Sequence, residues 1–189
     1  MEHEVMWAPD GAPGLEHARV TWHTEGVSAE GVMIRRHADR TVRVRYAVRC
    51  DRQWRVREVR VAGVDPDEPD LRLHADGQGR WRDNDGHTLS SLDGCLDVDL
   101  WAVAFTNTLP IRRLELQPGA SAEVAVAYIA LPTLEVTRAR QRYTCVERSP
   151  DRSLYRYEAL PSGFTAEITV DAQGLVVDYP RLGRRVWSS

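Results

Sequence analysis

Polar and apolar residues alternate along most of the chain with the period of two that marks half-buried β-strands. Ala18, Val20 and Trp22 alternate with Arg19, Thr21 and His23, predicting a first strand, and residues 31–36 predict a second. Val42, Val44, Tyr46 and Val48 then alternate with Arg43, Arg45, Ala47 and Arg49, so the arginines face water and Tyr46 faces inward. In residues 54–61 (WRVREVRV) the face that carries Val59 and Val61 also carries Arg57. The text DPDEPD at 65–70 predicts a polar loop. Residues 71–74 and 80–82 flank Asp76-Gly-Gln-Gly79, which predicts a hairpin closed by a glycine in the left-handed region. The same device separates residues 166–170 from 175–179, where Asp171-Ala-Gln-Gly174 intervenes. Residues 122–130, 132–146 and 154–158 supply further strands.

Helical periodicity never persists for ten residues, apart from a turn near residues 89–92. About a dozen short strands with frequent turn signals predict an all-β fold, a curved, barrel-like antiparallel sheet. At 189 residues the chain fits one domain. Residues 1–14 are rich in proline and glycine and are expected to be loose. The matching strands at 42–48 and 122–130, with the two similar hairpins, point to an internal duplication, with halves at 17–85 and 96–180. Two unrelated antiparallel meanders would give the same pattern.

Residues 92–116, LDGCLDVDLWAVAFTNTLPIRRLEL, interrupt this plain strand text with acids, an amide, a proline and paired arginines. Asp97 and Asp99 share a face. Continued as a strand beyond Pro110, the segment aligns Arg112 with Leu114 and Leu116, and Arg113 with Glu115. An arginine among leucines is costly inside unless paired and hydrogen-bonded, and Asp97 and Asp99 are the obvious counter-ions. Arg112 is then either a structural ion-pair partner or a cavity residue that grips a phosphate, carboxylate or sugar hydroxyl. Arg57 repeats the arrangement, an arginine followed by apolar residues two and four positions on. The tyrosines at 46, 128, 143 and 157 offer hydroxyls to such a cavity. Asn107 is expected to bond backbone in the turn before Pro110 or to join them.

The totals exclude several classes. All 25 basic residues are arginine, they are interspersed with acids, and the net charge is −3, which argues against a nucleic-acid stripe. Three cysteines form no CxxC and leave one unpaired, which suits buried thiols in the cytoplasm better than a disulfide framework. The first residues lack the basic and apolar regions of a signal peptide, and no run approaches the roughly 18 apolar residues of a membrane helix. The six histidines have no ligand spacing, so neither a metal nor a cofactor is expected. There is no G-x-S-x-G nucleophile motif. Trp22, Trp54, Trp81 and Trp101 read as core anchors, with sugar stacking as the alternative.

Several segments together carry a family resemblance: W-x-x-R (Trp54, Arg57), D-G-x-G-x-W (76–81), L-x-G-C-x-D-V-D-L (92–100), F-T-N-T-L-P-I-R-R-L (105–114), A-Y (Ala127, Tyr128), Q-x-Y (Gln141, Tyr143) and V-D-x-x-G-L-V-x-D-Y-P (170–180). In this order, over residues 16–186, the chain resembles the bacterial putative glycolipid-binding family. The resemblance implies a curved, barrel-like antiparallel sheet similar in shape to lipoprotein carriers that hold acyl chains in a hydrophobic cavity. It implies a non-catalytic protein whose partner is an amphipathic small molecule, a glycolipid or a fatty-acyl-like compound. The tail would lie on the valine- and leucine-rich inner faces, and Arg57, Arg112, Asp97, Asp99, Asn107, Tyr46, Tyr128 and Tyr143 would meet the head group. Two alternatives stand beside it. One is an enzyme that uses Asp97 and Asp99 as acid or base with Arg112 stabilising an anion. The other is an interaction module with a packed interior.

Overall fold

Alternating text forms strands because each side chain that points inward finds apolar neighbours on the adjoining strands, while its arginine neighbours keep their charges in water. In the computed structural model, which describes residues 1–189 except Pro66 and Pro161, this produces one sheet of fourteen strands. They are β1 (Glu2–Ala8), β2 (Gly14–His23), β3 (Gly26–His37), β4 (Arg40–Asp51), β5 (Val56–Gly63), β6 (Asp70–Ala75), β7 (Trp81–Asp83) and β8 (Asp97–Leu100). After a short helix α1 (Thr108–Leu114) come β9 (Ser121–Ile129), β10 (Val136–Arg148), β11 (Arg152–Ala159), β12 (Phe164–Asp171), β13 (Val176–Tyr179) and β14 (Gly183–Ser188).

Across the sheet the order is β7-β6-β5-β4-β3-β2-β1-β14-β13-β12-β11-β10-β9-β8. The chain ends therefore meet at the centre of the sheet, and its middle forms both edges. Every neighbouring pair is antiparallel except β8 with β9. The sheet curls until its far ends touch: Val56 N–H donates to the Leu96 carbonyl (3.1 Å), Gly94 N–H to Gly79 (2.9 Å) and the Trp81 indole to Cys95 (2.8 Å). These few links join the ends without making a closed barrel. One continuous core fills the curl, with Trp7, Trp81, Tyr143, Tyr155 and Phe105 among its largest members.

The N-terminal segment is a correction. Residues 1–14, expected to be loose, contain β1, which pairs with both β2 and β14 at the seam of the sheet. Val5 and Trp7 are buried, and the Trp7 indole donates to the Val176 carbonyl at 2.8 Å. The prolines and glycines that coloured the whole segment all fall between 9 and 14, after the strand.

The segment after Asn107 is a second correction. Residues 105–107 form one tight turn that runs into α1, so the strand alternation assumed beyond Pro110 does not exist. Pro110 lies in the first turn of α1, a position that tolerates proline. Leu109 and Ile111 are buried, and Glu115 ends the helix in the left-handed conformation (φ 46°). Seven residues are too few for a 3.6-residue period to register as a pattern.

Tight turns are built on one repeated plan. Asp76 Oδ1 accepts the N–H groups of Gln78 (2.7 Å) and Arg80 (3.1 Å), and Gly79 has a positive φ of 89°. Asp171 does the same with Gln173 and Leu175, and so do Asp83 with Asp85 and His87, and Asp51 with Gln53 and Arg55. In the last case the left-handed position is held by Trp54 (φ 61°), a residue that pays a conformational penalty there. Three of the four turns precede residue 90. Pro66, within the loop expected at 65–70, lies outside the described residues.

Candidate functional site

β8 alternates Asp97 and Asp99 with Val98 and Leu100, and its parallel register against β9 sets Asp97 beside Val126 and Asp99 beside Tyr128. The two aspartates share a face, as expected, but their surroundings differ. Asp97 is fully buried and takes a two-pronged contact from Arg113, with Nη2–Oδ2 at 2.6 Å and Nε–Oδ1 at 3.0 Å. Its partner is thus Arg113, not Arg112, because the helix turns residue 113 toward β8. Burial raises the Asp97 pKa, and the Arg113 guanidinium opposes the rise.

Asp99 stands at the floor of an open groove of about 530 Å³. Its Oδ2 accepts the Gln141 amide at 2.6 Å and its Oδ1 the Thr106 hydroxyl at 3.3 Å. No guanidinium pairs with it among the described residues, and burial lifts its pKa. Tyr143, buried below, donates its hydroxyl to Asn107 Oδ1 (3.1 Å) and lies near Gln141 Oε1 (3.4 Å). Asn107 also donates to the Ala104 carbonyl, so its amide is fixed from both ends.

Antiparallel register builds the walls. Gln141 opposes Ala159, Tyr143 opposes Tyr157, and Ala159 opposes Phe164, which brings these residues of β10, β11 and β12 onto one face. Tyr157 is the hub of an aromatic cluster, with ring centroids 5.3 Å from Tyr143, 6.0 Å from Tyr179 and 6.2 Å from Phe164. The hydroxyls of Tyr128, Tyr157 and Tyr179 have no protein partner among the described residues, and all three rings line the groove. Burial pushes all three pKa values upward, so the hydroxyls are neutral donors and acceptors at physiological pH. Trp101, Leu182 and Ala139 complete the apolar surface, and Arg35, Arg140 and Arg181 stand around it.

The other expected site residues lie elsewhere. Arg57 does not point inward with Val59 and Val61. The register of β4 against β5 slips between Arg49 and Cys50, so Arg57 falls in a bulge, half exposed, 3.6 Å from Asp51. Val56 and Val59 can then both face the core although they stand three positions apart. Arg112 is half-buried on the far side of α1, its guanidinium 5.4 Å from the Trp54 ring and its side chain packed over Gly174. Tyr46 is in the other half of the sheet and lies flat across Gly31, where an added Cβ would come within 2.4 Å of the ring. Its hydroxyl donates to Glu16 Oε1 at 2.8 Å.

Glu16 is a buried acid that alternation on β2 placed inside but that no motif singled out. It also accepts the N–H groups of Ala104 (2.6 Å) and Phe105 (3.3 Å), anchoring the segment that carries Asn107 into α1. Burial pushes its pKa up to about 7, against the pull of these donors. Gln141, Tyr179, Phe164, Arg35 and Arg181 likewise lie outside the expected site, whereas Trp101 carries the sugar-stacking alternative named for it. Gln141 and Tyr179 stand within motifs of the resemblance, which was the only signal available for them.

Of the eight expected ligand contacts, the structure brings Asp99, Asn107 and Tyr128 to one groove, with Tyr143 directly beneath. A carboxylate, two amides, three free phenols and aromatic walls form a surface that hydrogen-bonds and stacks. Residues 4–185 match the family described as "Putative glycolipid-binding". The chain belongs to that family. Among solved structures, this member is similar to a DUF1089 family protein from Pseudomonas aeruginosa, with 38% identity, 90% of this chain and 92% of that one covered, and a TM-score of 0.80. No curated protein matches the chain. No helix among the described residues is long and apolar enough to cross a membrane.

Proposed function

We propose that this protein binds, without catalysis, the sugar head group of a glycolipid-class amphiphile in the Asp99 groove and leaves the tail outside. The observation that carries this reading is the groove lining itself, three unpartnered phenols and a hydrogen-bonded carboxylate between aromatic walls. Sugars present hydroxyls at their edges and C–H faces to stack, so this surface is complementary to them. Its volume lies within the roughly 300–1,000 Å³ of small-molecule sites.

An acyl tail is a poor fit inside. The valines and leucines expected to receive it, Val44, Val59, Val61 and Leu73 among them, are buried within the continuous core and do not line the groove. The enzymatic alternative would need Asp97 and Asp99 in one site, yet Asp97 is sealed against Arg113. Three buried free thiols agree with binding in the cytoplasm.

The test compares galactosylceramide with diacylglycerol in phosphatidylcholine nanodiscs, by native mass spectrometry and titration. Retention of the glycolipid alone, lost in Asp99→Asn and Tyr157→Phe with the fold intact, is the expected result. Equal retention of diacylglycerol, or indifference to both substitutions, overturns the reading.

A further inference from the structure

The groove has an electrostatic asymmetry that head-group recognition alone does not use. The chain as a whole is acidic, with a net charge of −3, yet three arginines and a single acid line this groove. Arg140 is paired with Glu123. Neither the Arg35 nor the Arg181 guanidinium makes a salt bridge among the described residues, although the buried Glu16 carboxylate acts on Arg35 and Asp10 accepts the Arg181 main-chain N–H at 3.2 Å. Arg35 reaches across from β3 in the other half of the sheet, donating to the carbonyls of Leu182 (2.9 Å) and Arg181 (3.4 Å), with its guanidinium 6.0 Å from the Trp101 ring. It thereby clamps the turn between β13 and β14. That turn carries Arg181 in the left-handed conformation (φ 71°), its guanidinium 5.8 Å from the Phe164 ring. A non-glycine residue in this region is strained, and the clamp holds it there.

Two guanidinium groups that line one groove, each resting on an aromatic wall and neither in a salt bridge among the described residues, offer donors to an oxyanion. Asp99 lies at the floor, where it would repel a negative group and accept hydroxyls. The groove thus separates a hydroxyl-reading floor from an anion-reading mouth.

We propose that the bound head group is anionic, a sugar bearing a sulfate, phosphate or carboxylate, with its oxyanion held between Arg35 and Arg181 at the mouth of the groove. This rests on the head-group reading above. The same chemistry serves a free sugar acid or a lipid-linked one.

The experiment uses a matched pair that differs by one group: galactosylceramide and its 3-O-sulfated form, sulfatide, in phosphatidylcholine nanodiscs, with galactose and galactose 3-sulfate as soluble counterparts. The sulfated member of each pair is expected to bind tenfold tighter or more, about the effect of one charge-assisted hydrogen bond. Equal affinity for free and lipid-linked sulfate identifies the free sugar acid as sufficient, and a gain only in nanodiscs identifies the lipid, the anion subsite standing in both cases. Arg181 is exposed, so Arg181→Gln should fold normally, erase most of the preference and weaken sulfatide binding far more than galactosylceramide binding. Arg181→Lys should restore most of it, because charge rather than packing on Phe164 carries the effect. Equal binding of both glycolipids, with sensitivity to Asp99→Asn retained, overturns the anion subsite and spares the head-group reading. Failure to bind either glycolipid overturns both. Phosphatidylglycerol nanodiscs without sugar, bound as tightly as sulfatide, overturn the proposal too, since charge alone would then suffice.

Discussion

Asp97 and Asp99 stand two residues apart on one face of β8, yet they meet opposite surroundings. Arg113 neutralises Asp97 in a sealed contact, whereas Asp99 receives only an amide and a hydroxyl and looks into a groove. The difference arises from α1. Its C-terminal turn presses Arg113 onto the start of the strand, and the turn before it leaves Thr106 and Asn107 beside the end. A buried charge needs a guanidinium, whereas one reached by solvent or ligand can be held by neutral donors. One aspartate is therefore sealed into the fold, and its neighbour faces the groove.

The largest effect expected from this contrast is on the sealed pair. Arg113→Ala strands Asp97 without a counter-charge and should cost about 3–5 kcal/mol in urea denaturation. Replacing Asp97 and Arg113 together with leucine should recover most of that loss. A small effect of the single substitution would mean that Asp97 is neutral in the folded state.

Glu16 tests the opposite case, a buried acid held by hydrogen bonds without a salt bridge among the described residues. Its pKa rises from 4.5 to about 7 on folding, so the folded state holds this proton more tightly than the unfolded chain. The associated stability is fully present below pH 4.5 and is lost as pH rises through about 7, a difference of about 3 kcal/mol. Denaturation at pH 5, 6, 7 and 8 should show this decline, and Glu16→Gln should flatten it. Glu4, Glu58 and Glu123, whose arginine partners lower their pKa values, exert their effect below this window.

Asp99→Asn should change stability by no more than about 1 kcal/mol, because the new amide oxygen can accept from Gln141 while its NH2 donates to Thr106 Oγ1, whose own proton stays on the Val103 carbonyl. Glycolipid affinity should nevertheless fall about tenfold in titration calorimetry. The smallest effect belongs to Arg57→Ala. Its guanidinium is half exposed and loosely placed against Asp51, so thermal melting should report a change within about 0.5 kcal/mol. A larger loss there would mean that the bulge in β5 depends on that contact.

Much of the sheet was legible before any coordinates. Val42, Val44, Tyr46 and Val48 are all buried, and Arg43, Arg45 and Arg49 all face water, as the alternation required. The turns led by Asp76 and Asp171 have the anticipated left-handed glycines. Arg57 was misplaced because a single bulge residue inverts every later inside-outside assignment relative to those before it. Arg112 was misplaced because the period was wrong: as a strand, residues 110–116 set 112 toward the leucines, and as a helix they turn 113 toward Asp97. Both arginines singled out for their inward direction thus lie away from the groove, and the arginines at its mouth, Arg35 and Arg181, had no distinguishing context in the sequence.

The sequence by itself determined an all-β chain, the inward face of its regular strands, the hairpin turns and the pairing of Asp97 with Asp99 on one face. These follow from local stereochemistry, which acts between residues a few positions apart. Only the tertiary structure decided which aspartate meets a guanidinium, that the N-terminal strand is the seam of the sheet, and that β3, β8, β10, β11 and β13 share one groove. Those outcomes depend on curl and long-range register, in which Glu16 finds Ala104 and Arg35 finds Leu182 across most of the chain.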